Sequence, residues 1–317
     1  MATYYDLSDY RAYSRNSTAQ RAFEVAGDRW TFLIILGAFY GYSRFEEWKS
    51  HYNISTSVLS ARLKKLQADG VLFKSPTRDS RHMQYLLTPK GQDLLPWALA
   101  VWEWEQEWLY RYEGHRVVIV HTDCGSNIYP RIICKACSQP VQWMDVDFEE
   151  GPGYVSAESA TTNATRRSKV ASTGKGPVGR NFGRFADIFG DRWSYLIVSA
   201  ALFRVRRFDE LTTQLEIGPS ILADRLKHMV RYGLLARSLY QDNPARWEYI
   251  ATQKTLDLAK IPLMLGIWAD KHNPTNLGPV YLRRHRLCNH NLDIGISCGS
   301  CDGSINTQNI QFRDTRP

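Results

Sequence analysis

Residues 54–70 read Ile-Ser-Thr-Ser-Val-Leu-Ser-Ala-Arg-Leu-Lys-Lys-Leu-Gln-Ala-Asp-Gly, and residues 217–233 read Ile-Gly-Pro-Ser-Ile-Leu-Ala-Asp-Arg-Leu-Lys-His-Met-Val-Arg-Tyr-Gly. In the first stretch Leu59, Leu63 and Leu66 recur at helical spacing, while Thr56, Ser57, Ser60 and Lys64 fall away from them. Ser55 is a good N-cap for this helix; the second stretch starts its helix with Gly218-Pro219, proline being harmless at the first helical position. The offset of 163 also takes Gly27-Asp28-Arg29-Trp30 to Gly190-Asp191-Arg192-Trp193 and Arg44-Phe45 to Arg207-Phe208. Beyond residue 80 the offset is 164, carrying Tyr85 to Tyr249 and Trp104 to Trp268. The chain is an internal duplication.

Around each helix the same local signals recur. Asp28 can cap a helix from Arg29 whose apolar stripe is Trp30, Leu33, Ile34 and Gly37. Ser43 is placed to cap a short helix with Phe45 and Trp48 inward. After the helix of residues 55–68, Val71–Phe73 and Met83–Leu87 are strand-like about a polar, basic tip, and Leu234–Tyr240 and Trp247–Ala251 repeat the hairpin. A further helix over Gly91–Tyr112 carries Trp97, Trp102, Trp104 and Trp108, as core, as an interface or as the lining of an effector pocket. Helix, short helix, turn, longer helix and hairpin make a winged helix-turn-helix, so the expected fold class is α+β, with two such units in tandem.

The 317 residues, 44% hydrophobic and 23% charged, suit two globular domains. Six cysteines are too few for a disulfide scaffold, no signal peptide opens the sequence, and no apolar run approaches the roughly 20 residues of a membrane span. A cytoplasmic protein with no membrane partner is expected. The net charge is +8, but residues 1–150 carry 17 basic and 18 acidic side chains against 23 and 14 in 151–317. Charge alone therefore says little about a polyanionic partner.

Gly-Asp-Arg-Trp opening a helix, Arg-Phe-x-Glu at 44–47 and 207–210, Ile-x4-Leu-x2-Arg-Leu at 54–63 and 217–226, and Tyr-x-x-Thr after the wing resemble HxlR-type transcriptional regulators, of the MarR-like superfamily. The resemblance covers roughly 17–112 and 180–272. It implies a winged helix, double-stranded DNA as ligand and transcriptional regulation. Because such proteins act as two-fold dimers, two fused units imply an intramolecular pseudo-dimer, either monomeric or pairing further as a homodimer. Certain relatives sense oxidants through a cysteine ahead of the first conserved helix; Ser17 and Arg180 stand there, which puts such a switch in doubt.

A recognition helix enters the major groove with short or polar side chains on its first turns. Ser55, Thr56, Ser57, Ser60 and Lys64 satisfy that in the first copy, and Ser220 and Lys227 in the second, beside Ala223 and an Asp224 able to accept from a cytosine amine. The same residues also suit a solvated helix face. Arg44 and Arg207 start the preceding helices, where they suit a phosphate or an ion pair with Glu47 or Glu210. The wing arginines Arg78, Arg81 and Arg246 suit an adjacent groove or simple hydration.

After each winged helix comes His-x2-Cys-x9-Cys-x2-Cys. His121, Cys124, Cys134 and Cys137 form one expected set; His285, Cys288, Cys298 and Cys301 form the other. Four nitrogen and sulfur ligands in two close pairs suit structural zinc held tetrahedrally, with no open position for catalysis. With strand-like Val117–Val120 and Ile132–Ile133, each set is expected to close a zinc ribbon, giving two structural zinc ions; the alternatives are a decayed site that folds without metal and a redox dithiol. The expected boundaries are 17–115 winged helix, 116–150 ribbon, 151–179 linker, 180–279 winged helix, and 280–317 ribbon and tail. No phosphate-binding glycine loop or nucleophile elbow is present, and the expectation is no enzyme. The competing functions are a protein-interaction module of the transcription machinery and a metal-responsive sensor; no effector is legible.

Overall fold

The computed structural model describes residues 10–11, 23, 28–77, 82–110, 117–154 and 183–314. Helix α1 (Arg29–Phe39) starts where expected: the Asp28 carboxylate accepts from the backbone N–H groups of Trp30 and Thr31. The next helix differs in its start. α2 (Phe45–Tyr52) has Arg44, not Ser43, as N-cap, because Glu47 reaches back and accepts from the N–H groups of both Ser43 and Arg44, at 2.7 and 2.8 Å. Asn53, left-handed at φ 50°, turns the chain into α3 (Thr56–Ala68), capped by Ser55. Strands β1 (Leu72–Pro76) and β2 (Met83–Leu87) form the wing, Leu72 opposite Leu87.

The long helix expected after the wing is broken. α4 (Pro89–Gln92) stops before α5 (Leu95–Trp108), because Pro96 cannot donate to the Gln92 carbonyl and clashes with it. Trp97, Trp102 and Trp104 are buried, so they serve as core rather than as a pocket lining.

After β3 (Val117–His121), β4 (Asn127–Ile128), β5 (Pro130–Cys134) and β6 (Val146–Glu150), the second copy repeats the order. It begins at α6 (Arg184–Phe189) and α7 (Arg192–Leu202), then α8 (Phe208–Leu215) and α9 (Pro219–Arg231), with Gly218-Pro219 at the start of α9 as expected. Its wing is β7 (Leu235–Gln241) and β8 (Arg246–Ala251), followed by α10 (Gln253–Leu258), α11 (Lys260–His272), β9 (Tyr281–His285), β10 (His290–Asn291), β11 (Ile294–Cys298) and β12 (Ile310–Asp314). Among the described residues no helix is long and apolar enough to cross a membrane.

The chain divides into two compact units that do not follow the order of the sequence. One contains α1–α5 and β1–β5 of the first copy together with α6, β11 and β12 of the second. Here Phe185 of α6 stacks on Phe32 of α1, ring centroids 4.9 Å apart, and meets Trp104 of α5 edge-on at 5.7 Å. Glu105, only 1% exposed, accepts from the backbone N–H of Gly183 at 3.1 Å and of Phe185 at 2.7 Å, satisfying the start of α6. Arg29 of α1 pairs with Asp187 of α6 at 2.7 Å.

The other unit contains α7–α11 and β7–β10 with residues 10–11 and β6 of the first copy. Tyr10 donates to the Leu196 carbonyl, and β6 pairs antiparallel with β9, Val146 opposite His285. Each unit is therefore completed by segments of the other copy.

The expectation of two self-contained ribbons is corrected in the first unit. β3 takes β4 on one edge and β12 on the other, while β5 pairs with β11. The returning segment covers strand edges that the first copy alone would leave unpaired.

Candidate DNA-reading face and metal centre

The framework that aims α3 combines residues kept in both copies with Trp48 and Gly37, where the second copy has Leu211 and Ala200. Asp28 caps α1 and also accepts from the Arg62 guanidinium on α3 at 2.9 Å, so a single carboxylate joins the two helices. Asp191 repeats this, capping α7 and pairing with Arg225 of α9 at 3.4 Å. Trp48 of α2 is fully buried and its indole N–H donates to the Ile34 carbonyl of α1 at 3.2 Å. Gly37 allows that approach, since a Cβ there would lie 2.6 Å from Trp48 Nε1. Thr88 donates to the Gly70 carbonyl at 2.6 Å and Thr252 to Gly233 at 2.7 Å, tying the wing's exit to the end of the recognition helix in both copies.

On that framework Leu59, Leu63 and Leu66 are buried, while Ser55, Thr56, Ser57, Ser60 and Lys64 are exposed. On α9, Leu222, Leu226 and Met229 are buried, and Ser220, Ala223, Asp224 and Lys227 are exposed. Arg44 and Arg207 are exposed at the N-caps of α2 and α8. The Glu47 and Glu210 carboxylates accept from backbone N–H groups there, the role that sequence reasoning had offered as an ion pair. Arg78 and Arg81 lie outside the described residues, as do Ser17, Arg180 and most of the linker. Arg246 is exposed at the start of β8.

Sequence reasoning missed the apolar part of this surface. Ile221 is 42% exposed on the first turns of α9, and Trp247 and Leu239 are exposed opposite one another on the second wing. The Arg237 guanidinium lies 4.3 Å from the Trp247 ring and that of Arg207 4.6 Å from the Tyr240 ring. An apolar residue breaking the polar first turn of α9 was the available signal.

The expected metal ligands are grouped differently from their order in the sequence. His121 and Cys124, on the β3–β4 turn, gather with Cys298 and Cys301, at the end of β11, and not with Cys134 and Cys137. The strand register explains this. Cys298 lies opposite Pro130, at the end of β5 next to β4, whereas Cys134 lies at the far end of that strand, roughly 13 Å along it. All four ligand atoms of the set lie within 4.8 Å of one another; His121 Nδ1 is 3.3 Å from Cys124 Sγ and 3.4 Å from Cys301 Sγ, and Cys124 Sγ is 3.9 Å from Cys298 Sγ. His121 and Cys298 are buried. The Ser126 backbone N–H, helped by the His121 ring, lowers the Cys124 thiol to about 6, so the thiolate, the ligating form, prevails at neutral pH. Of the other expected ligands, Cys134 and Cys137 end β5 in the first unit. His285 and Cys288 close the β9–β10 turn of the second, with His285 Nδ1 3.5 Å from Cys288 Sγ.

A buried three-helix framework that presents a polar helix beside a wing defines a helix-turn-helix DNA-binding protein, here carried twice. The family described as HxlR-like helix-turn-helix matches residues 25–113 and 188–276, more than half of the chain, and the chain belongs to that family. It is similar to the uncharacterized HTH-type transcriptional regulator Rv3095 of Mycobacterium tuberculosis, 34% identical over 149 residues, or 47% of this chain and 94% of that protein. The uncharacterized HTH-type transcriptional regulator YvaP of Bacillus subtilis is 33% identical over 92 residues, covering 28% of this chain and 85% of that one. A solved structure of a transcription-factor candidate from Pseudomonas aeruginosa, PA1374, is 28% identical over 39% of this chain and 85% of its own, with a TM-score of 0.32. The protein is a transcriptional regulator of helix-turn-helix type, a class that binds DNA and is not enzymatic.

Proposed function

We propose that the chain binds one double-stranded DNA site as an intramolecular pseudo-dimer, α3 and α9 entering successive major-groove segments about 34 Å apart. The observation that carries this reading is the division of α3: three leucines buried, and Ser55, Thr56, Ser57, Ser60 and Lys64 exposed together. Ser220 and Lys227 hold the corresponding places on α9. Arg44 and Arg207 contact phosphates, and Arg78, Arg81 and Arg246 follow an adjacent groove. Structural zinc supports the segments after each winged helix, and the boundaries expected from the sequence are retained for the winged helices, 17–115 and 180–279. The cell compartment is the cytoplasm, where such a regulator meets its operator.

Selection of duplexes from a random pool by the full chain tests the reading. The expected result is one enriched sequence with two half-sites a helical turn apart, bound with a steep salt dependence. Failure to enrich any duplex would overturn it in favour of a protein-interaction module. A metal-responsive regulator predicts in addition that affinity for the selected duplex follows zinc occupancy.

A further inference from the structure

We propose that His121, Cys124, Cys298 and Cys301 bind one zinc ion that fastens residues 292–314 onto the β3–β5 strands of the first copy. The site concerns the fold's closure and stands apart from the DNA-binding reading. Tetrahedral zinc, with Zn–S of about 2.3 Å and Zn–N of about 2.0–2.1 Å, requires N···S separations near 3.6 Å and S···S near 3.8 Å. The observed 3.3 and 3.4 Å for nitrogen to sulfur and 3.9 Å for sulfur to sulfur enclose a cation of that size. A disulfide would bring two sulfurs to about 2 Å and leave the histidine without a role.

The surroundings are those of a ligand set held in place. Gly125, at φ 71°, turns the His121–Cys124 loop, and its N–H donates to the His121 carbonyl at 2.8 Å. The Ser300 N–H donates to Cys298 Sγ at 3.4 Å. A Cβ at Gly303 would stand 3.3 Å from Cys301 Sγ and 3.4 Å from His121 Cε1, so the smallest residue lies against the set. The other ring nitrogen of His121 is buried without a hydrogen bond, 3.3 Å from Asp123 Oδ2, and that carboxylate accepts from Asn309 Nδ2 at 2.9 Å. Asn309, on the returning segment, thereby holds a carboxylate beside the ring of His121, where a carboxylate can orient a ligating imidazole. Arg131 of β5 donates to the Cys298 carbonyl at 3.4 Å and pairs with Asp302, tying β5 to the loop that carries Cys298 and Cys301.

The chemistry joins residues 174 apart, Cys124 and Cys298. Two of the ligands belong to the first copy and two to the second, so the metal closes a loop containing the whole second winged helix. The 164-residue offset maps the set onto His285, Cys288, Cys134 and Cys137, the four ligand residues that remain, and these provide the comparison in the test.

The experiment counts zinc on the full chain by mass spectrometry after removal of loosely held metal. His121→Ala is expected to lose one equivalent, and His121→Ala with Cys298→Ser to lose the same one and no more. His121→Ala with Cys134→Ser is expected to lose further metal. Ligands grouped in sequence order give the opposite pattern, and that result, or no tightly held zinc in the unsubstituted chain, overturns the proposal. A second measurement needs no variant. The chelated chain is treated with a short dithiol-bridging bimane and its peptides are mapped. Cross-links from Cys124 to Cys298 or Cys301 are expected, and cross-links from Cys124 to Cys134 or Cys137 overturn the proposed grouping.

Discussion

Glu105→Gln is expected to change how the stability of the chain varies with pH. The Glu105 carboxyl is buried, and its pKa is raised from 4.5 to about 7, chiefly by loss of hydration. The N–H groups of Phe185 and Gly183 and the charge of Arg184 oppose that rise, while Asp187 adds to it. The folded protein therefore binds the proton more tightly than the unfolded chain. This stabilisation is fully present below about pH 4.5 and is lost as pH rises through about 7, a change of about 3 kcal/mol at 1.36 kcal/mol per unit. The glutamine removes the titration but keeps one carbonyl oxygen, so one of the two N–H groups loses its acceptor at a cost of about 1–3 kcal/mol. Urea unfolding of both proteins at about pH 5 and about pH 8 checks this, because metal ligands and other acids titrate alike in both and cancel in the difference. The variant should be the less stable at the lower pH, and the gap should close or reverse at the higher. Parallel pH dependences would refute the assignment of that proton to Glu105.

Further outcomes follow from the framework and the proposed DNA-reading face. Gly37→Ala pushes a methyl group into the Trp48 indole and should destabilise by about 1–3 kcal/mol in thermal melts, with a compensating Trp48→Phe recovering part of the loss. Asp28→Ala removes the cap of α1 and the partner of Arg62 together, costing about 1–2 kcal/mol by the same assay. Arg44→Ala should weaken duplex binding evenly across sequences and lower the salt slope by about 1, read by titration at several salt concentrations. Lys64→Ala should cost about 1–3 kcal/mol on the selected duplex while leaving the melting temperature unchanged, since the side chain is exposed.

The winged helix was legible because each of its signals is local. A cap at Asp28 or Ser55, a leucine stripe at 59, 63 and 66 and a hairpin about a polar tip are settled within a few residues, and two copies permitted mutual checking. Where a local signal misled, a neighbour had overridden it: Glu47, accepting from the N–H groups of Ser43 and Arg44, sets the cap at Arg44 rather than Ser43, and Pro96 splits a helix that tryptophan periodicity joins. The grouping of the metal ligands was not legible for a different reason. The spacing His-x2-Cys and Cys-x2-Cys is identical in both copies, so either histidine pair can be completed by either cysteine pair without violating any distance a sequence encodes. The choice is made by β5–β11 and β3–β12 pairing, which is long-range and identical in pattern for either strand of a duplicate. Ligand identity was therefore available in advance, and ligand partnership was not. The buried Glu105 was missed because its partners are backbone N–H groups more than 70 residues away, and a glutamate among tryptophans on a helix carries no other mark.

Fusion has a consequence for the DNA site that a dimer of identical chains cannot show. Two identical heads impose two identical half-sites, whereas fused heads diverge independently. The polar contacts of the framework are kept in both copies, whereas parts of its core (Trp48 against Leu211) and of the proposed DNA-reading face differ. Asp28–Arg62 and Asp191–Arg225, and Thr88 and Thr252 with their carbonyls, are repeated contact for contact. On the exposed side, Ser60 and Ala61 of α3 correspond to Ala223 and Asp224 of α9, and Val58 to the exposed Ile221. Hydroxyls and Lys64 suit acceptor-rich base edges; Ile221 suits a thymine methyl and Asp224 the amine of a cytosine. The proposed operator is accordingly asymmetric, with thymine and cytosine called for only in the half read by α9. Asp224→Ala should abolish the preference for cytosine at one position of that half, worth about 1–3 kcal/mol, and leave the other half untouched. Repeating the duplex selection with this variant measures both halves at once. A palindromic site in the unsubstituted chain, or a change spread over both halves in the variant, would show that the two heads read alike despite their different surfaces.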